Sequence, residues 1–201
     1  MSKTRILAEA RTVFGRKGYA EASLREIAQA VGIKTPSLYA HFPSKEALFH
    51  AVYLDVVVEH AAYFDELANA ANSLPPLERL HLLLKGVEDY YRERRDLAEF
   101  SLRAAVAEYS PDGGGLRRVF LDSESRLSNA VRQAHNDGVA SGEFALHDPE
   151  AFTALFFALM DGLFLQLTHY DPDLYRERFR LTWRYFSSLL SPTSAAAPEE
   201  G

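Results

Sequence analysis

The side chains best suited to recognition chemistry crowd into one short stretch, from Lys34 through Thr35, Pro36, Ser37, Leu38, Tyr39 and Ala40 to His41. Lys34 can donate to phosphate oxygen or to the O6 and N7 acceptors of guanine. The hydroxyls of Thr35 and Ser37 can bond to either class of base edge or to phosphate, and Pro36 offers an apolar contact for a thymine methyl. Arg, Asn and Gln, the sharpest two-pronged base readers, are missing from the stretch. Much of any sequence preference is therefore expected to come from spacing and DNA shape. Catalytic chemistry finds no comparable set. The seven histidines are scattered, no His-x-x-x-His or His-Glu-x-x-His spacing occurs, and no glycine-rich phosphate loop follows a strand. There is no cysteine, so disulfide and thiolate chemistry are excluded. No enzyme activity, metal or cofactor is expected.

The elements that must hold this stretch are legible on both sides. Ser23 followed three residues later by Glu26 reads as a reciprocal capping box, each side chain taking a free backbone N–H of the first turn. Leu24, Ile27, Ala28 and Val31 then share one helical face. Gly32 is placed to close that helix with positive φ, and Ile33 marks a tight turn. Thr35 and Pro36 read as N-cap and first residue of a second short helix, proline lacking only an N–H that had no partner there. Two short helices joined through a glycine turn make a helix-turn-helix, whose second helix can enter a major groove. Before them, residues 4–17 read as a supporting helix with Ile6, Leu7, Ala10, Val13 and Phe14 inward, closed by Gly18.

The strings SLREIAQAVGI (23–33) and SLYAHFPSKEALF (37–49) resemble the N-terminal DNA-binding signature of the tetracycline-repressor (TetR) family of transcriptional regulators. The resemblance covers roughly residues 4–53. Where the family usually has Ser or Thr after the Gly-hydrophobic pair, this chain has Lys34, which moves the expected cap to Thr35. The resemblance implies DNA contacts by Ser23, Lys34, Thr35, Pro36, Ser37, Tyr39, His41 and Lys45. Tyr39, His41 and Lys45 match positions that commonly bind phosphate. Phosphate contacts position a protein, and base contacts specify sequence. Phe42 is expected to pack against the first helix, whereas the Tyr39 ring could face either way.

Charge agrees with this division. The chain carries net −6 over 201 residues, but residues 1–50 hold 8 Lys and Arg against 4 Asp and Glu, while the remainder holds 14 against 24. A basic end on an acidic body suits a protein of which one end meets phosphate. The N-terminal residues lack the apolar block of an export signal, so a cytoplasmic location is expected.

Beyond Pro43 every strong signal is helical, and the expected fold is all-α with about nine helices. It divides into a three-helix DNA-binding domain (1–46), a helical regulatory and dimerisation domain (47–190) and a disordered tail (191–201). Ser44 and Glu46 start a long helix that runs to about Asn72 and links the two domains. Helices follow over 77–94, 96–109, 116–141, 148–170 and 172–190, with a flexible PDGGG loop at 111–115. The stretch 148–170 is apolar enough to suggest a membrane span, but Asp161, Gln166, Thr168 and His169 interrupt it. Its two apolar faces fit burial between its own core and a partner.

In the resembled family the last two helices pair with their mates in a homodimer. That resemblance assigns Phe157, Ala158, Gly162, Phe179, Trp183 and Phe186 to the interface. A dimer would read a palindrome with half-sites about 34–36 Å or a multiple apart. The family also binds small molecules in its helical body. The aromatic-rich body here offers His60, Tyr63, Phe64, Tyr90, Phe100, Arg103, Phe120 and Asp161 as candidate lining for an apolar or aromatic effector. The reading is a ligand-responsive repressor that binds a double-stranded palindromic operator through residues 35–41 and is released by its effector. The alternative is a helical scaffold or adaptor that binds no DNA.

Overall fold

A computed structural model describes residues 2–106, 115–145 and 148–192. Among these there are nine helices and no strand: α1 (Lys3–Glu21), α2 (Leu24–Val31), α3 (Thr35–Tyr39), α4 (Lys45–Ala71), α5 (Pro76–Tyr91), α6 (Arg95–Val106), α7 (Gly115–Ala140), α8 (Pro149–His169) and α9 (Pro172–Leu190). Of the expected loop at 111–115, residues 111–114 lie outside the described residues and Gly115 begins α7; of the expected tail at 191–201, residues 193–201 lie outside them.

Local chemistry explains most of the boundaries. The hydroxyl of Ser23 accepts from the Glu26 amide at 3.2 Å, a cap worth about 1 kcal/mol. The reciprocal half of the expected box is not formed, because the Glu26 carboxylate is held by Lys17 Nζ at 2.7 Å. Gly32 takes φ 80° and ψ 32°, the left-handed conformation that closes α2. Gly18 likewise adopts φ 78°, ending the regular part of α1 where expected, but one further turn follows to Glu21. The start of α3 corrects the sequence reading. Lys34 is the cap residue, with extended backbone and no side-chain cap bond, and Thr35 is already helical. The reason is that the Lys34 carbonyl accepts the first bonds of the helix, from Ser37 at 2.9 Å and Leu38 at 3.4 Å. Asp148 and Asp171 cap α8 and α9 with their carboxylates, each followed by proline.

The chain groups into two compact units, Met1–Asp65 with Asp89–Arg126, and Glu66–Glu88 with Leu127–Gly201. The expected cut after residue 46 does not coincide with this grouping, since the N-terminal helices share a unit with most of α4 and all of α6. α4, α5 and α7 each have residues in both units.

In the first unit, Phe14, Tyr19, Phe49 and Phe100 make one aromatic core, with Phe49 5.1 Å from both Phe14 and Tyr19 and 5.7 Å from Phe100. Around Phe186, the second unit packs Phe152 at 5.7 Å, Phe156 at 6.1 Å and Trp183 at 5.9 Å. His81 lies 4.6 Å from Trp183, and His135 stacks on Phe152 at 4.4 Å. Phe144 lies 6.3 Å from His135, and Gly138 leaves room for it, because a Cβ there would stand 2.1 Å from the Phe144 ring.

Candidate functional site

α2 and α3 form the recognition unit. Leu24, Ile27, Ala28 and Val31 bury one face of α2, and Leu38 and Phe42 anchor α3 and the turn after it. With those apolar residues inward, Lys34, Pro36, Ser37, Tyr39 and His41 are left exposed, and Thr35 is half-buried. The Tyr39 ring, which could have packed either way, is 52% exposed, whereas Phe42 is buried under the Lys3 ammonium at 5.5 Å. Five expected DNA contacts therefore stand on one outward segment. Ser23 is also exposed, but its hydroxyl is engaged as the α2 cap.

Lys45 is placed otherwise than expected. Its ammonium donates to the carbonyls of Tyr19 at 2.8 Å, Ala20 at 3.2 Å and Ala22 at 3.0 Å, and lies 4.5 Å from the Tyr19 ring centroid. These carbonyls lie at and just beyond the end of α1, where a cation is favoured. The lysine thus joins α4 to α1. Sequence reasoning passed over Arg25, which is exposed on the first turn of α2 and pairs with no acid among the described residues. An arginine two residues after a capping serine was the available signal.

A second connection ties α6 to α1. Arg11 Nε donates to Asp96 at 2.9 Å. Arg103 donates through Nε to the Gly15 carbonyl at 2.6 Å and through its terminal nitrogen to Arg16 at 3.0 Å. Between these anchors Gly15 is buried, and a Cβ there would lie 3.1 Å from the Asp96 oxygen and the Phe100 nitrogen. A side chain there would crowd both backbone atoms, so glycine suits this close approach. Two candidate ligand residues, Phe100 and Arg103, are accordingly engaged in this junction.

Four of the remaining candidates do come together. His60 lies 4.7 Å from Phe64 and 5.2 Å from Tyr90, while Tyr63 lies 4.9 Å from Tyr90. Tyr91 joins them, 4.8 Å from Tyr90 and nearly perpendicular to it. Burial lowers the His60 pKa to about 4 and raises that of Tyr91 to about 12, and the Tyr90 hydroxyl is also pushed up by burial. All three groups are neutral near pH 7. Phe120, on α7, is 45% exposed. Asp161 belongs to the second unit and is exposed on α8, with partial desolvation raising its carboxyl above the ordinary range.

α8 and α9 carry an uncovered apolar face. Leu155, Ala158 and Leu165 are exposed on α8 at helical spacing, with Gly162 half-buried beside them. Nothing lies within 4 Å of where a Gly162 Cβ would stand. Leu174, Leu181, Tyr185 and Leu189 are exposed on α9, Tyr185 at 70%. Of the six residues expected at a partner interface, Phe179 and Phe186 are buried within their own chain, and Trp183 is half-buried against His81. Phe157 is half-buried and Ala158 exposed. α8 is long and apolar enough to cross a membrane, with mean hydropathy 1.6. It also buries Phe152, Phe156, Met160 and Leu163 in the chain's own core.

An all-helical chain with an outward polar segment on a helix-turn-helix belongs to the class of DNA-binding regulators. Residues 6–52 match the family described as bacterial regulatory proteins, tetR family, and residues 76–191 match the C-terminal family of BetI-type transcriptional repressors. The chain belongs to the TetR family of transcriptional regulators, which are DNA-binding proteins rather than enzymes. It is 28% identical over 162 residues to the HTH-type transcriptional regulator UidR of Escherichia coli K12, covering 79% of this chain and 76% of that one. Its fold is similar to that of PfmR from Thermus thermophilus, with TM-score 0.71, 24% identity and coverage of 92% and 96%. It is also similar to FadR from Bacillus subtilis, solved in complex with stearoyl-CoA, with TM-score 0.73, 16% identity and coverage of 94% and 100%.

Proposed function

We propose that this regulator is a cytoplasmic repressor that binds a palindromic operator as a homodimer and leaves it when a small apolar or aromatic effector binds. The observation that carries this reading is the segment from Lys34 to His41, whose polar side chains face outward while Leu38 and Phe42 hold it from within. Lys34, Thr35, Pro36 and Ser37 meet base edges or adjoining phosphate, and Tyr39, His41 and Arg25 hold the backbone. Lys45 sets the angle of α4 against α1. The description of the C-terminal family as repressors supports repression over activation. The structurally similar FadR, caught with stearoyl-CoA, supports small-molecule binding within this fold.

The exposed leucines and Tyr185 of α8 and α9 serve as the dimer face. A homodimer covers this apolar surface better than a bilayer would, because α8 turns its other face into a protein core and carries Asp161 on the exposed side. The cluster of His60, Tyr63, Phe64 and Tyr90 is the effector's seat. It lies partly on α4, which Lys45 bonds to the end of α1, and α6 is strapped to α1 at Arg103 and Asp96. A shift of either helix reaches the head through those bonds. The effector lowers operator affinity only by its preference for the shifted state.

The test is selection of bound fragments from the source organism's DNA with purified protein. A palindromic motif recovered repeatedly supports the reading; random recovery would leave the scaffold alternative.

A further inference from the structure

The aromatic cluster contains one polar atom with no role in the fold. Tyr90 is 1% exposed, and its hydroxyl is buried without a hydrogen-bond partner. A buried hydroxyl left unbonded is costly, and so such a group ordinarily meets a partner or an ordered molecule. Its surroundings restrict what that partner can be. The rings of His60, Tyr63, Phe64 and Tyr91 provide flat apolar surface, and His60 is neutral because burial lowers its pKa to about 4.

The nearby charges are already matched. Arg94 lies 4.8 Å from the Tyr90 ring centroid but donates to Glu59 at 2.7 Å, and Glu59 also meets Arg11 at 3.6 Å. A carboxylate ligand would lose hydration here and find no uncompensated cation. An amine would meet no uncompensated anion. Either would incur the cost of burying charge without a counter-charge.

We propose that the effector taken at this cluster is an uncharged, flat aromatic compound carrying an acceptor oxygen, to which the Tyr90 hydroxyl donates a hydrogen bond. This rests on the reading of the cluster as the effector's seat. His60 and Tyr63, both half-buried, form the side from which the compound stacks.

The experiment uses the full chain, calorimetric titration and three probes of one shape: 2-acetylnaphthalene, 2-ethylnaphthalene and 2-naphthoate. Expected is binding in the order acetyl, then ethyl, then the carboxylate, with acetyl over ethyl by about tenfold, the worth of one buried hydrogen bond. In Tyr90→Phe this preference falls to near unity, while the melting temperature without probe is unchanged or raised, because the orphan hydroxyl is gone. A purely structural Tyr90 would leave the acetyl-to-ethyl ratio unmoved, and that result overturns the proposal. Tightest binding of 2-naphthoate, abolished by His60→Leu, would keep the seat but overturn the ligand class. Failure of all three probes to bind would overturn both.

Discussion

The outward faces of α3 and of α8–α9 are both uncovered in a single chain, yet their chemistry is opposite. On α3 the exposed residues are lysine, serine, tyrosine and histidine, set on two buried apolar anchors. On α8 and α9 they include leucines and a tyrosine, set among charged side chains such as Asp161 on α8 and Arg178 and Arg184 on α9. The first surface suits a partner that brings its own charge, and its binding must weaken as salt screens and competes. The second suits a partner as apolar as itself, and its binding should survive salt. On the proposed reading, one face meets nucleic acid and the other a copy of the chain.

The largest effect that would break this contrast is expected from placing charge on the apolar face. Leu181→Asp combined with Tyr185→Asp should turn the dimer into monomers by sedimentation and weaken palindrome binding at least about 100-fold, since burying unpaired carboxylates is costly. Both side chains are exposed in the chain, so the fold itself should persist. An unchanged dimer would remove α9 from the interface.

Next in size is an effect of acid on the first unit. His60 has its folded-state pKa lowered to about 4 from 6.5, so between those values the unfolded chain binds more protons. Stability should therefore fall as pH drops from 6.5 toward 4, by roughly 3 kcal/mol at most. His60→Gln should flatten that part of the profile in urea titrations. A wild-type profile that is already flat would show that His60 is not buried as described.

Smaller effects separate reading from positioning. Lys34→Ala and Ser37→Ala should change sequence preference, by about 1–3 kcal/mol at a contacted base pair. Lys45→Ala should lower thermal stability and weaken specific and random DNA alike, because it removes three bonds to the end of α1. Equal losses on both kinds of DNA for all three variants would erase the distinction. The smallest expected change is Asp161→Asn, which should tighten self-association several-fold by removing a carboxylate from a face that becomes buried.

Helix boundaries were readable because they depend on neighbours in sequence. Ser23, Gly18 and Gly32 act within a few residues of themselves. The outward segment was readable for the same reason, since Leu38 and Phe42 leave the polar side chains only one way to face. The pairings of Lys45, Arg11 and Arg103 were not, because their partners lie 23 to 88 residues away. Spacing separates the faces of α9 but does not say which one turns inward. Phe179 and Phe186 took the core, and Leu181 and Tyr185 the outside. Burial of His60 and Tyr90 likewise depends on two helices meeting, which no local pattern records.

The central claim is that the Lys34–His41 face holds DNA through charge while the dimer does not depend on it. Its most direct test measures affinity for the selected palindrome between about 50 and 200 mM salt, with sedimentation at each point. The account predicts a log–log slope steeper than about −3, as expected at roughly −0.9 for each phosphate met by Lys34 and Arg25 of the two subunits, and a dimer throughout. A nearly flat slope, or a dimer that falls apart as salt rises, would contradict it.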